Sequence, residues 1–105
     1  AMPAQTVLDL ATIGGARALG MERELGSIEV GKRADLAIVS MRGAHTTPFY
    51  PDKVISHLVY ACRGSDVQGT IVGGEVLMAD GVVRSLDEED VIARAQETSR
   101  DLYEA

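Results

Sequence analysis

The chain has 105 residues, 46% of them hydrophobic and 25% charged, a balance typical of one globular domain and unlike a disordered or fibrous protein. Its formal net charge of −6 argues against nucleic acid or an anionic membrane as a partner, because both would repel the chain. No apolar run is long enough to cross a bilayer, and no secretion signal is evident. Cys62, the single cysteine, cannot form an internal disulfide, so we expect a cytoplasmic protein with one domain over residues 1–105.

The first twenty residues predict two short helices that meet at a corner. Apolar residues recur at three- and four-residue spacings over residues 4–11, which indicates a helix with one buried stripe. Thr12 is a suitable N-cap for a second helix over residues 13–19. Gly20 then supplies a C-terminal stop.

Two strands are predicted before the middle of the chain. Ile28 and Val30 alternate with polar neighbours, which favours a brief strand over residues 27–30. Residues 34–41 carry no charge after Asp35, so they are expected to form a strand in the middle of a sheet or under a covering helix.

The second half of the chain predicts a helix, a β-meander and a last helix. Pro48 and Pro51 mark a loop, and Pro51 suits the first turn of a helix that runs to about residue 61. The meander has strands at 66–72, 75–79 and 82–83, with turns at Gly73-Gly74 and Asp80-Gly81. Asp87 can cap a helix over residues 87–105. This order of elements predicts an α+β fold with a mainly antiparallel sheet.

Few residues suggest chemistry. A hydrolytic metal site needs several converging ligands, whereas His45 and His57 lie twelve residues apart and form neither an H-x-H pair nor an H-E-x-x-H helix. We expect His45 to bond to backbone in a loop and His57 to be half-buried on a helix. A five-residue separation points His57 and Cys62 about 140° apart on a helix, which disfavours a nucleophile–base pair.

The remaining polar groups favour structural roles. Asp35 stands where a loop becomes a strand, so its carboxylate is expected to accept backbone N–H bonds from the turn at residues 31–34, while Lys32 and Arg33 project into solvent. The acidic run 87–90 matches the positive end of a helix dipole rather than a cation site. We therefore predict no catalytic, cofactor-binding or metal-binding residue in this chain.

Four blocks together resemble the C-terminal segment of the metal-dependent amidohydrolase superfamily, in its cytosine deaminase, chlorohydrolase and adenosylhomocysteine deaminase branch. They are ATIGGARALG (residues 11–20), GSIEVGKRADL (26–36), SHLVY (56–60) and DVQGTIVGG (66–74). The resemblance implies a (β/α)₈ barrel with a small β-sandwich, in which residues 4–20 are the last barrel helices and 26–83 the C-terminal part of the sandwich.

The resemblance also implies that this chain lacks the family's metal ligands, since all of them precede the matched region. The zinc or other divalent metal, and the deamination or dechlorination of nitrogen heterocycles, would belong to a longer parent enzyme. A stand-alone binding or assembly module that kept the sandwich is the alternative, and an independent small enzyme that uses His57, Cys62 or Asp35 is a third. Unpaired strand edges and an uncovered helix face predict a homo-oligomer whose subunits exchange elements.

Overall fold

A computed structural model describes residues 2–105, so Ala1, where the predicted domain begins, lies outside the described residues. The fold is α+β, as predicted, with a four-stranded antiparallel sheet and flanking helices. The strands are β1 (Leu36–Val39), β2 (Val67–Val72), β3 (Glu75–Ala79) and β4 (Val82–Val83). The helices are α1 (Ala4–Asp9), α2 (Gly15–Ala18), α3 (Val54–Tyr60) and α4 (Glu88–Glu104).

The predicted corner at Thr12 is wrong, because the chain stays helical from α1 through a π-helical turn, Leu10–Gly14, into α2. Thr12 does not cap a new helix: its hydroxyl donates to the Leu8 carbonyl one turn earlier, at 2.7 Å. Gly20, with φ of 69°, ends the helix as predicted. The amides of Gly20 and Met21 close the last turn on the carbonyls of Arg17 and Ala16, as in a Schellman motif.

Residues 27–30 are not a strand, which corrects the prediction from the alternation of Ile28 and Val30. These two side chains are 87% and 108% exposed, and no strand of the described residues pairs with them. Instead, the Lys32 amide donates to the Glu29 carbonyl in a tight turn. Alternation marks a surface suited to pairing, but a strand forms only where a partner supplies the backbone hydrogen bonds.

The sheet has the strand order β1-β2-β3-β4, so β1 lies at an edge. Of the two positions predicted for this strand, the one in the middle of the sheet is therefore wrong. Leu36 pairs with Ile71, and Ile38 pairs with Gly69, where the absence of a side chain lets the Ile38 side chain approach. The β2–β3 hairpin turns at Gly73 and Gly74, whose φ values of 57° and 81° confirm the predicted two-residue turn.

The two later helices agree with the sequence patterns. Pro51 opens a 3₁₀ turn, Pro51–Lys53, that leads into α3. Asp87 caps α4 as predicted, since its Oδ1 accepts a hydrogen bond from the Asp90 amide at 3.1 Å. Every residue of α4 is exposed. No helix among residues 2–105 is both long and apolar enough to span a membrane.

The chain buries little apolar surface by itself. Its accessible area is 8142 Å², whereas a compact protein of 11.2 kDa exposes about 5,700 Å². Its radius of gyration is 17.5 Å, against about 13 Å for a compact domain of this length. Ala16 is the one buried apolar side chain that the structure describes, and Leu19, Ile28 and Leu102 are largely exposed. The sheet and the helices therefore present surfaces suited to further burial.

At Gly26, the segment after α2 packs closely against the preceding helix. Its φ is 95°, and a β carbon there would lie 2.8 Å from Ile13 Cα and 2.9 Å from Ala16 Cβ. Gly31 has a similar φ of 91° with nothing within 4 Å, so Gly31→Ala is a matched control.

We expect Gly31→Ala to lower the free energy of unfolding by about 1 kcal/mol through backbone strain alone. Gly26→Ala should lower it by roughly 1–3 kcal/mol more, because the helix must also move. Urea unfolding followed by circular dichroism measures both values. Equal losses in the two variants would contradict the close contact.

Candidate functional site

Asp66 is the charged side chain that residues 2–105 bury, with 8% of it exposed, and it directly precedes β2. Its Oδ2 accepts a hydrogen bond from the Arg63 amide at 2.7 Å and lies 2.6 Å from His45 Nε2. The Arg63 carbonyl in turn accepts from the Asp66 amide at 3.0 Å, which closes the 3₁₀ turn Gly64–Asp66. The Asp66 carbonyl accepts from the Ser40 amide at 2.8 Å. One residue thus connects the end of β1, the turn after α3, the start of β2 and the loop that carries His45.

His45 does not bond to backbone as predicted, but to the Asp66 carboxylate across 21 positions of sequence. It lies in a 3₁₀ turn, Ala44–Thr46, whose buried Thr46 hydroxyl donates to the Gly43 carbonyl at 2.9 Å. The imidazole covers Gly43 so closely that a β carbon there would collide with the ring. The turn therefore aims the ring at Asp66, a pairing that sequence reasoning missed.

The pKa of the Asp66 carboxyl is lowered, first by the hydrogen bond from the Arg63 amide and then by the His45 ring. Desolvation opposes this shift but does not reverse it. The carboxylate is therefore ionised near neutral pH and already bonded on one oxygen. A charge held in this way positions the chain segments around it.

Cys62 and His57 do not form a nucleophile–base pair. The Cys62 thiol contacts Met41 Sδ at 3.3 Å, and burial followed by the Asp66 charge raises the thiol pKa. The His57 ring nitrogens face two backbone carbonyls, those of Lys53 at 2.9 Å and Pro48 at 2.8 Å. The thiol is kept protonated, and both ring nitrogens already have partners.

Asp35 accepts a backbone hydrogen bond, but not from the turn that precedes it. Its Oδ1 accepts from the Gly73 amide at 2.7 Å, and the neighbouring Ala34 carbonyl accepts from the Gly74 amide at 3.1 Å. The prediction of a bond to residues 31–34 is therefore wrong. The start of β1 instead holds the turn of the β2–β3 hairpin.

Lys32 does not project into solvent as predicted, since its side chain is 11% exposed. Its ammonium donates to the Ser27 hydroxyl at 2.7 Å and lies 3.0 Å from the Glu29 carboxylate. Arg33 is 54% exposed, as expected, with Glu24 at 3.5 Å. Lys32 thus connects residues within the GSIEVGKRADL block, whereas Arg33 pairs with a residue that precedes the block.

The residues present do not fit a zinc ion. Zinc requires about four converging ligands with deprotonated or neutral donor atoms, and among residues 2–105 no group of three or more His, Cys, Asp or Glu side chains is placed to supply them. His45, His57 and Cys62 have the other partners described above. Asp87 and Asp90 serve the start of α4, where Asp90 also pairs with Arg94 at 3.0 Å.

An apolar groove lies between the α1–α2 helix and β1. Its lining includes Ala11, Gly15, Leu19, Ile28, Leu36 and Leu58. The small residues of the helix leave room along one side of the groove. On the other side, β2 is the one strand of residues 2–105 that pairs with β1. The groove and the edge strand together offer a place for another extended or helical segment rather than for a polar substrate.

Comparison with known proteins gives a consistent result. A model of the amidohydrolase family matches residues 1–77. The 5-methylthioadenosine/S-adenosylhomocysteine deaminase of Moorella thermoacetica is 52% identical over 93 residues, which are 89% of this chain and 21% of that protein. The 5'-deoxyadenosine deaminase of Methanosarcina barkeri is 49% identical over 102 residues, or 97% of this chain and 23% of that protein.

Solved structures that resemble this chain are also deaminases and related hydrolases. An adenosine deaminase from Xanthomonas campestris with bound zinc superposes with a TM-score of 0.90 at 34% identity, covering 100% of this chain and 24% of that one. The zinc complex of the atrazine chlorohydrolase TrzN from Arthrobacter aurescens TC1 has a TM-score of 0.78 at 26% identity, covering 90% of this chain and 20% of that one. The chain spans about a quarter or less of the length of these relatives.

The lowered pKa of Asp66 predicts acid sensitivity. A carboxyl with a folded pKa below its unfolded value, about 3.9, adds stability above that value and loses it as pH falls through the folded pKa. We expect the free energy of unfolding to fall on acidification below about pH 4, and to fall less steeply in Asp66→Asn. Urea unfolding at several pH values measures this. Identical acid profiles for both proteins would exclude Asp66 as a source of the dependence.

Asp35→Ala should lower the free energy of unfolding by about 1 kcal/mol, because the Gly73 amide loses its acceptor in the folded state. Asp35→Asn keeps an acceptor oxygen at the same place and should lose less. The difference can be measured by chemical unfolding, with amide exchange at Gly73 as a local readout. An unchanged Gly73 exchange rate in Asp35→Ala would show that this bond does not form.

Proposed function

Because this chain belongs to the amidohydrolase family, we propose that it is the C-terminal part of a longer metal-dependent hydrolase. In this proposal the chain supplies structure to the enzyme, and the preceding part supplies the metal and the catalytic groups. The observation that carries it is the match to nearly the whole chain at 49–52% identity, together with coverage of only 21–23% of each deaminase.

The chemistry proposed for the parent is hydrolytic deamination of an adenosine-type nucleoside, in which water replaces the amino group and ammonia leaves. The names of the most similar relatives support it, since they are deaminases of 5-methylthioadenosine, S-adenosylhomocysteine and 5'-deoxyadenosine. Triazine hydrolases and a chlorohydrolase occur among the structural neighbours at lower identity, 25–26%, so they support the reaction class more than the substrate.

The role proposed for the chain itself follows from its uncovered surfaces. Leu36, Ile28 and Leu19 line an apolar groove beside the unpaired edge of β1. The accessible area exceeds that of a compact protein by about 2,400 Å², which is more than one partner usually contributes to a stable interface, about 800 Å². The rest of the parent would cover this surface, and the isolated chain would cover it by self-association.

We expect the purified chain to bind no stoichiometric zinc and to release no ammonia from 5'-methylthioadenosine or 5'-deoxyadenosine, because its histidines and its thiol already have partners. A polypeptide that adds the upstream coding sequence in the same frame should do both. Metal analysis and an ammonia-release assay measure the two properties.

Zinc binding or turnover by the chain alone would overturn the proposal. An upstream sequence without an H-x-H pair would instead favour the stand-alone assembly module. A molar mass of 11.2 kDa by light scattering would contradict self-association of the isolated chain.

A further inference from the structure

Helix α4 carries an apolar stripe that nothing among residues 2–105 covers. Val91, Ala95, Thr98 and Leu102 recur at spacings of four, three and four residues, so they lie along one side of the helix. Ile92 widens the stripe at its edge, and every residue of α4 is exposed. We propose that this stripe packs against the same stripe of a second copy of the chain, with the two helices antiparallel and related by a two-fold axis.

The side chains of the stripe suit pairing with themselves. When Ala95 lies opposite Thr98 of the second copy, antiparallel geometry places Val91 opposite Leu102 of the second copy. The small residues then meet at the centre, where the two helices approach most closely. The large residues meet at both ends, where crossing helices diverge and leave more room. Both copies use the same surface, so the contact closes as a dimer.

The charges beside the stripe favour the antiparallel direction. Arg94 and Asp101 lie on the same flank of the stripe, seven residues apart. Equivalent flanks run side by side in an antiparallel pair, which brings Arg94 of each copy next to Asp101 of the other. The Arg94 side chain is 78% exposed beside Asp90, so it can reach a second carboxylate. A parallel pair would instead place the acidic first turns, residues 88–90, side by side and align the two helix dipoles.

The position of α4 allows this contact without rearrangement of the rest of the chain. The superposition on the Xanthomonas campestris adenosine deaminase covers the whole chain, α4 included, at a TM-score of 0.90, although the chain covers 24% of that protein. Asp90, Glu97 and Glu104 lie on the side of α4 away from the stripe, so pairing leaves these carboxylates in water. The contact uses α4 and not the groove beside β1, and either can fail without the other.

Charge reversal in the full chain tests the pairing. Arg94→Asp turns each contact between positions 94 and 101 into one between two carboxylates, and Asp101→Arg turns it into one between two cations. We expect each variant to dimerise about tenfold more weakly than the wild type, because two exposed ion pairs change sign. An equimolar mixture restores opposite charges at both contacts and should form a mixed dimer about as tight as the wild-type dimer.

Sedimentation velocity measures these affinities at low salt, where exposed charges are least screened, with a fluorophore on the amino terminus of one variant. Arg100→Asp is the matched control, because it makes the same change of charge on the side of α4 away from the stripe. This control should dimerise like the wild type. Loss of helix in one variant cannot imitate recovery of affinity in the mixture, since the mixture contains the same two polypeptides.

A mixed dimer no tighter than the self-dimers of the two variants would overturn the proposal. So would wild-type affinity in both single variants, an equal loss in Arg100→Asp, or a wild-type chain that stays monomeric. None of these results bears on the zinc and ammonia measurements, so the assignment to a longer hydrolase stands or falls separately.

Discussion

The hydrogen bonds of Asp66 are the interactions that hold four segments of this chain in place. Its side chain is bonded to His45 and to the Arg63 amide, and its carbonyl to the Ser40 amide, so four segments meet at one buried charge. In a larger domain a hydrophobic core would fix such positions. Here Ala16 is the one apolar side chain that the described residues bury, so directional hydrogen bonds do more of this work.

Two further polar contacts hold the other end of β1. Asp35 and Ala34 hold the Gly73-Gly74 turn, while Asp66 holds the opposite end of β1 through Ser40. The edge strand is therefore fixed at both ends by bonds that do not use its free edge. A strand fixed in this way would lose little further conformational entropy if another segment docked against it.

Local signals predicted the parts of the fold that neighbouring residues determine. The helix stop at Gly20, the Gly73-Gly74 turn and the Asp87 cap each depend on a few adjacent residues, and each is confirmed. The strand at residues 27–30 failed because alternation cannot supply a missing partner strand. The partners of Asp35 and His45 lie 38 and 21 residues away, beyond any short motif, although the spacing of Arg63 and Asp66 could have indicated the capped turn. That the chain holds no catalytic or metal-binding residue remains a prediction.

The helix α4 shows the same shortage of packing at the level of secondary structure. It is about 25 Å long, every one of its 17 residues is exposed, and one side-chain cap and the Asp90–Arg94 pair support it. In proteins, most of the stability of a helix comes from packing of its apolar face rather than from helix propensity. The stability of α4 would therefore depend on whether its exposed Val91, Ile92 and Leu102 side chains are buried against another surface. Far-ultraviolet ellipticity would thus report on assembly as directly as it reports on folding.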